Sequence, residues 1–470
     1  MVPLMPYVTV DRSSSEPLTR QIYARLRDLI LSGSLVAGTK MSSTRDIAAE
    51  LGVSRNVVMN AFDQLHAEGY LDTRAGSGSF VATGAALSPA PQPDLSRVRP
   101  RGFRPLRADR IDFRSGLPDL SRFPVRTWQR LCREVWDALT PRDLSYGQPE
   151  GRPELRAEIC RYVAAARGVR CHPDQIVITA GTTQAVGIVS RLLVSGTRTA
   201  CVLEDPITSD IQRIVQANEA RVLPVPVDER GMIVDALPRT GHAFVYVTPS
   251  HQFPLGATMP IQRRAALIRH ARRSRVSIVE DDYDSEFRYD APPVGSIQEL
   301  DPERVVYIGT FSKTLCPAVR IGYIVLPPEL VNRGREVKWF TDLHNSSVDQ
   351  LILARFMADG HFARYVHAMR KIYRARRDAT VKALQRHFGA RAEVLGSPAG
   401  IHLCARFRGV RFTAAVMRRA EAKGIVLYPV EEHAIVKGRF TDTLIFGYGM
   451  LDASRIDKGL AILRRCLYSS

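Results

Sequence analysis

Leu18, Ile22, Leu26, Leu29 and Ile30 repeat at the spacing of an amphipathic helix, with polar residues between them, and Gly33 and Gly38 break the pattern. Residues 43–51 (STRDIAAEL) predict a short helix capped by a hydroxyl residue, and Gly52 turns the chain into a second helix over about 54–68. Two short helices joined by a glycine turn predict a helix-turn-helix. Residues 69–74 and 79–82 flank Ala75-Gly76-Ser77-Gly78, the pattern of a hairpin. Residues 83–105 carry no apolar period and are rich in Pro, Ala and Arg, which predicts a linker. Beyond it the pattern becomes that of an α/β domain. IVIT (176–179) runs through Gly181-Thr182-Thr183 into a helical pattern, and VSIV (276–279) ends in Glu280-Asp281-Asp282-Tyr283. A last α+β region places short strands at 400–405 and 444–447. The boundaries expected from these patterns are 1–84, a linker over 85–110, and a domain over 111–470.

A chain of 470 residues is long enough for two or three domains and a large core. No run of about 18 apolar residues occurs, and MVPLMPYVTVDRSSSE lacks a basic segment followed by an apolar one, so a cytoplasmic protein without membrane attachment is expected. Seven scattered cysteines without a CxxC pair read as reduced and mostly structural, and no metal-ligand pattern is read. The net charge of +18 invites a nucleic-acid partner, yet residues 1–84 hold eight basic and eight acidic side chains. The excess lies elsewhere: residues 85–114 carry seven arginines against three aspartates, and 364–386 is a dense basic run, read as the solvated face of a helix.

Candidate chemistry centres on residues 309–323, GTFSKTLCPAVRIGY. A lysine amine condenses with an aldehyde to give a Schiff base (an internal aldimine), and pyridoxal phosphate is the cofactor most often held this way, which points to Lys313. Thr310, Ser312 and Arg320 would surround the phosphate with hydroxyls and a guanidinium. The cofactor's ring nitrogen needs a carboxylate, and Asp281 stands at the C-terminal end of a buried strand, the edge of an open α/β sheet where ligands sit. Tyr283 is assigned to the ring hydroxyl. Gly181, Thr182 and Thr183 at a helix start form an anion site. Singly, these features are a surface lysine, a helix cap and a steric turn; together, in the order phosphate turn, acid, lysine, they make one site. In the amino-terminal domain Ser54, Arg55 and Asn56 open the second helix with side chains that bond phosphates and base edges. Arg45 stands on the preceding helix, and Gly76 and Ser77 form a hairpin tip that can lie on a groove of double-stranded DNA.

From about Asp112 onward the chain resembles fold-type I pyridoxal-phosphate aminotransferases, in particular the aminotransferase-like domain of MocR/GabR-type transcriptional regulators. The resemblance rests on FRSGLPDLSRFPVRTW (113–128), LSYGQPEGRPELR (144–156), TAGTTQAV (179–186), VTPSHQFPLGATMP (247–260), VEDDYDSEF (279–287) and the lysine segment. Residues 17–82 resemble the winged helix-turn-helix of GntR-type regulators almost throughout, with Met41-Ser42-Ser43 where that family has Leu-Pro-Ser, a departure that predicts a less rigid helix entry. The resemblance implies an N-terminal winged helix-turn-helix, a linker, and a large α/β domain with a small α+β C-terminal domain. It also implies a homodimer in which Tyr146 reaches the phosphate of the neighbouring subunit's cofactor. Two departures stand out. The final strand, 442–448, lacks the arginine that clamps a ligand carboxylate, and Thr208 stands where the family has a ring-stacking aromatic, leaving His251 and Phe253 as candidates for ring contact. The expected function is a pyridoxal-phosphate-dependent DNA-binding regulator sensing an amine or amino-acid-type ligand. The alternatives are an aminotransferase with a DNA-binding appendage, or a DNA-binding protein using the fold as a dimerisation scaffold.

Overall fold

The computed structural model describes residues 8–74, 76–85, 107, 109–195, 199–290, 292 and 294–468. Two compact units divide the chain, Met1–Arg104 and Pro105–Ser470. Most of the expected linker, with Arg97, Arg99, Arg101 and Arg104, falls outside the described residues.

The first unit packs helices α1 (Leu18–Leu31), α2 (Thr44–Leu51) and α3 (Arg55–Ala67) against a hairpin of β1 (Leu71–Arg74) and β2 (Gly78–Val81). The apolar stripe predicted on α1 is its buried face: Ile22, Leu26 and Ile30 meet Ile47 of α2 and Val58, Phe62 and Leu65 of α3. Ser43 caps α2 by accepting from Asp46 N at 3.2 Å, and Gly52 supplies the left-handed residue (φ 62°) that turns the chain toward α3. Met41 is buried and its N–H donates to Ser79 O at 2.9 Å, so the helix entry is pinned to the wing by a contact the sequence did not reveal.

The second unit begins with β3 (Ile111–Asp112), α4 (Val125–Ala138) and α5 (Pro153–Arg167). It continues as β4 (Ile176–Thr179), α6 (Thr182–Leu193), β5 (Ala200–Asp205), α7 (Ser209–Ala217), β6 (Arg221–Asp228), β7 (Gly231–Met232), β8 (His242–Val247), α8 (Ile261–Ser274), β9 (Ser277–Asp282), β10 (Val305–Thr310) and β11 (Gly322–Val325). Their strands form one eight-stranded sheet, order β4-β11-β10-β9-β8-β5-β6-β7, parallel from β10 to β6, with β11 and β7 antiparallel. Strands β4, β5, β8 and β10 are buried along their whole length, as near-continuous apolar runs in a sheet covered on both faces should be. Helices α9 (Val331–Asp342), α10 (Ser347–Ala358) and α11 (His361–Phe388) then lead to β12 (Ala392–Leu395), β13 (His402–Phe407), α12 (Ala414–Ala422), β14 (Ile425–Val426), β15 (Tyr428–Pro429), β16 (Thr443–Gly447) and α13 (Ala453–Tyr468). A second antiparallel sheet, β12-β13-β16-β15, forms the smaller α+β layer, and β14 pairs with β3. All seven cysteines are thiols, although Cys160 and Cys171 approach to 3.7 Å.

The basic run 364–386 lies on α11, and its face is only partly solvated. Arg364, Arg370, Arg374, Lys382 and Arg386 are exposed. Arg376 and Arg377 turn inward, Arg376 Nη2 to Asp119 Oδ2 at 2.5 Å and Arg377 to both oxygens of Asp290 at 2.5 and 2.8 Å. Asp119 is buried, so removing its cation leaves a charge held only by the hydrogen bonds that Ser121 N and Oγ donate to its other oxygen. Arg376→Ala is expected to cost about 2–3 kcal/mol, short of a fully buried pair because Arg376 keeps some exposure. Lys382→Ala should cost less than about 0.5 kcal/mol. All three tryptophans lie in the second unit, so denaturant unfolding followed by tryptophan fluorescence reads its stability directly.

Candidate functional site

Five parallel-running strands of the large sheet end on one side, and the residues just past those ends converge on a cavity of about 350 Å³. β4 delivers Thr182 and Thr183, β5 Thr208, β8 Thr248, β9 Asp281 and Tyr283, and β10 Thr310, Ser312, Lys313 and Arg320.

The acidic triplet shows why strand periodicity matters. Successive side chains on β9 point to opposite faces, so Asp281 faces the cavity while its neighbours do not. Glu280 accepts from the backbone N–H groups of Ile297 and Gln298, each at 3.0 Å. Asp282 accepts from Arg167 Nε and Tyr307 Oη, each at 2.6 Å. Asp281 has one oxygen, Oδ2, bonded by Tyr246 Oη at 2.5 Å, while Oδ1 is buried with no hydrogen-bond partner among the described residues. Burial pushes the Asp281 carboxyl up to about 7.

Lys313 lies against Gly116, whose left-handed backbone (φ 76°) and missing side chain leave room for the amine; a Cβ there would stand 2.8 Å from Nζ. Burial lowers the Lys313 amine from its ordinary value, opposed by the carboxylates of Asp284 and Asp281. A lowered amine pKa increases the neutral fraction that can attack a carbonyl. At the other end of the cavity Gly181 is the N-cap of α6, and the Arg320 guanidinium bonds Ala180 O beside it. Thr182, Thr183, Thr310 and Ser312 line the space next to this helix start.

The other candidate residues are spread over different surroundings, and His251 is the one that departs from expectation. Tyr283 lines the cavity, but its hydroxyl donates to His251 O at 2.8 Å. His251 does not line it: its Nδ1 lies 3.1 Å from both Asp284 oxygens, and its ring packs on His402 at 4.8 Å. Phe253 does line the cavity, edge-on to His433 at 5.2 Å. Tyr146 is outside it and 80% exposed, beside His344. In the first unit Arg45, Ser54, Arg55, Asn56, Gly76 and Ser77 are all exposed, Ser54 as the N-cap of α3. Sequence reasoning missed Gly116, Asp210, Tyr246, His402 and His433, which come from five separate elements. Gly116, Asp210 and His402 lie in stretches with a readable pattern (113–128, 204–210 and 400–405), but the pattern gives none of the three a role.

These groups fit pyridoxal phosphate. A buried carboxylate oxygen awaits a donor, a lysine amine of lowered pKa sits against a glycine, and a helix start with hydroxyls and a guanidinium suits a dianion. Residues 109–441 match the family model of class I and II aminotransferases, and residues 18–81 that of the bacterial regulatory proteins of the gntR family. The chain is 36% identical to the probable rhizopine catabolism regulatory protein MocR of Rhizobium meliloti, over 97% of this chain and 95% of that one. It belongs to the MocR-type regulators. Another relative is the pyridoxine biosynthesis transcriptional regulator PdxR of Corynebacterium glutamicum, 31% identical over 76% of each chain. Among solved structures the multiple substrate aminotransferase of Thermococcus profundus superposes with a TM-score of 0.71 at 27% identity, covering 77% of this chain and 92% of that one. This MocR-type regulator is a DNA-binding protein whose second unit has a fold-type I aminotransferase fold and takes pyridoxal 5'-phosphate as cofactor. When bound, the cofactor supplies a reactive aldehyde and an electron-withdrawing ring.

The raised carboxyl of Asp281 makes a signed prediction for the cofactor-free protein. Between about pH 4, the ordinary value, and about 7 the folded carboxyl keeps its proton while the unfolded one loses it, so stability falls as pH rises through that window. Asp281→Asn lacks this slope. Cofactor-free Asp281→Asn should match the cofactor-free parent near pH 4 and exceed it above pH 7, by up to about 4 kcal/mol, the rise from about 4 to about 7 taken at about 1.4 kcal/mol per pH unit. Melting curves of both proteins across this range read the difference, and a parent more stable than the variant at pH 8 would show that Asp281 is stabilised as an anion.

Proposed function

We propose that the protein is a cytoplasmic, homodimeric regulator in which cofactor-bound cavities sense an amine or amino-acid-type effector and thereby set the grip of paired winged helices on a promoter. Its working parts would be a DNA-binding segment over 1–84, a linker over 85–110 and an effector domain over 111–470. In this reading Lys313 Nζ holds the cofactor covalently and Asp281, oriented by Tyr246, bonds the ring nitrogen. Tyr283 serves the ring-hydroxyl side, and Gly181, Thr182, Thr183, Thr310, Ser312 and Arg320 hold the phosphate. Tyr146, exposed and outside its own cavity, is free to reach the cofactor phosphate of a second protomer. Ser54, Arg55 and Asn56 enter the major groove, with Arg45 on the backbone and the Gly76-Ser77 tip on an adjacent groove.

What carries this reading is that one chain holds both a lysine, acid and phosphate pocket and an exposed Ser54-Arg55-Asn56 helix start. A sustained aminotransferase is disfavoured because β16 brings Thr443, Leu444, Ile445, Phe446 and Gly447 to the place of the carboxylate clamp, all buried and none cationic. Steady release of a keto acid from amino acids would reverse that judgement.

Lys313→Ala should bind the cofactor without the absorbance of the lysine-linked form, keep its circular dichroism, and lose the borohydride-reducible adduct, because the side chain supplies a bond and not core packing. An unchanged absorbance would remove Lys313 from the site. Arg55→Ala should leave the cofactor absorbance alone while weakening operator binding. If Arg55 meets a base the loss is about 1–3 kcal/mol with relaxed sequence preference, and if it meets a phosphate the salt slope falls by about one. Affinity equal to the parent at every salt concentration would shift recognition to the wing.

A further inference from the structure

The cavity holds more than the cofactor requires, and the surplus has a chemical character. Among the described residues that line it, the lasting cations are Lys313 and Arg320. Lys313 is taken by the aldehyde. Arg320 is tied to the phosphate turn, where its guanidinium bonds Ala180 O and a Cβ on Gly181 would stand 3.3 Å from Nη1. The remaining polar groups are Ser115, Thr208, Asp210, Thr248, His402 and His433, of which Thr248 donates to Glu204 at 2.6 Å, set among Ile211 and Phe253. Neither histidine provides charge at neutral pH. Burial pushes His402 well below its usual value, where its Nε2 bonds Pro254 O at 3.0 Å, and burial brings His433 down to about 4. His433 Nδ1 is moreover buried without a hydrogen-bond partner among the described residues. Asp210, on the first turn of α7, is solvent-accessible at the cavity and has no hydrogen bond or ion pair among the described residues.

A ligand carboxylate placed here would meet the Asp210 carboxylate and two neutral imidazoles; among the described residues that line the cavity no cation is left to offset the repulsion, and Lys437, whose charge reaches His433, donates to Glu431 O at 2.9 Å. A hydroxyl or ammonium would meet an anionic acceptor and an imidazole nitrogen with an open position. We propose that the effector is an amine whose far end donates hydrogen bonds, through a hydroxyl or a second ammonium group, to Asp210 and His433, and that it carries no carboxylate there. The proposal rests on the reading of this cavity as the effector site, and it narrows the amine or amino-acid class to amino alcohols and diamines.

Three four-carbon probes that differ only in the far group test it: 1,4-diaminobutane, 4-amino-1-butanol and 4-aminobutanoate. Each is titrated into the full-length, cofactor-loaded protein, with heat and cofactor absorbance recorded together. The diamine and the amino alcohol should bind about tenfold or more tightly than the amino acid, the scale of one charge-assisted hydrogen bond. Asp210→Asn, an isosteric change at an exposed position, should weaken the diamine about tenfold and narrow its lead over the amino acid; circular dichroism verifies the fold. Tightest binding of 4-aminobutanoate, or an unchanged order and gap in Asp210→Asn, would overturn the inference while leaving amine sensing in place. No heat and no absorbance change with any of the three would instead overturn the sensing reading, and the inference with it.

Discussion

A carboxyl group buried at the end of a parallel strand ionises reluctantly unless a cation or a strong donor meets it, and Asp281 has met half of that need. Tyr246 satisfies one oxygen at 2.5 Å; the other is enclosed and unpartnered. An unmet acceptor in a low-dielectric site is a standing cost of about 1–3 kcal/mol. In the proposed reading a protonated pyridine ring would relieve that cost and at the same time let the carboxyl ionise, which would link cofactor binding to the charge state of Asp281. The rest of the large sheet serves this placement. Parallel β8, β9 and β10 fix Tyr246, Asp281 and the approach to Lys313 side by side, and the neighbouring acids Glu280 and Asp282 are hydrogen-bonded elsewhere.

The linear code was most readable where chemistry is local in sequence. The α1 stripe, the Ser43 cap, the glycine turn and the strand end at Thr179 follow from periods and caps, because each is fixed by residues within one or two turns of itself, whereas β9 runs three residues past the apolar VSIV to Asp282. The cavity wall was harder, since Gly116, Asp210, Tyr246, His402 and His433 are brought together from positions spread over more than three hundred residues. Tyr246 sits in the apolar run HAFVYV and reads as core; only the pairing of β8 with β9 puts its hydroxyl on Asp281. Likewise the period of α11 predicts a wet face but not that Asp119, 257 residues earlier, waits beneath Arg376. Long-range ion pairs leave no periodic trace.

Charge distribution constrains how the two units share their tasks. Residues 1–84 hold equal numbers of acids and bases, so their long-range pull on DNA is weak, and in the proposed reading specificity comes from the few exposed groups at the start of α3. The net +18 belongs to the remainder of the chain, including the exposed basic residues of α11. A regulator built this way gains little from one winged helix acting alone. In the proposed homodimer, two linked copies would raise the effective concentration of the second contact by orders of magnitude without any new interface, which would make the geometry of the pair, and not the strength of either half, the quantity worth regulating.

An effector can alter that geometry only through contacts that differ between two arrangements of the protein; equal affinity for both shifts nothing. The cavity is suited to such a difference because its walls belong to different layers. Asp281, Lys313 and Asp210 come with the large sheet and its helices, while His402 comes from β13 and His433 from the segment after β15. The two sides already meet through a few hydrogen bonds: Ile207 N and Gln212 Nε2 to His433 O at 3.1 and 3.0 Å, and Ile435 N and Val436 N to the Asp205 carboxylate at 2.7 and 3.2 Å. These latches hold the 433–436 segment within reach of whatever sits on Lys313. In the proposed reading, a molecule bonded at one end to the cofactor and at the other to His433 would add a strut parallel to these existing hydrogen bonds, and it would bias the conformation only as far as its contacts with the two layers differ between arrangements of the protein.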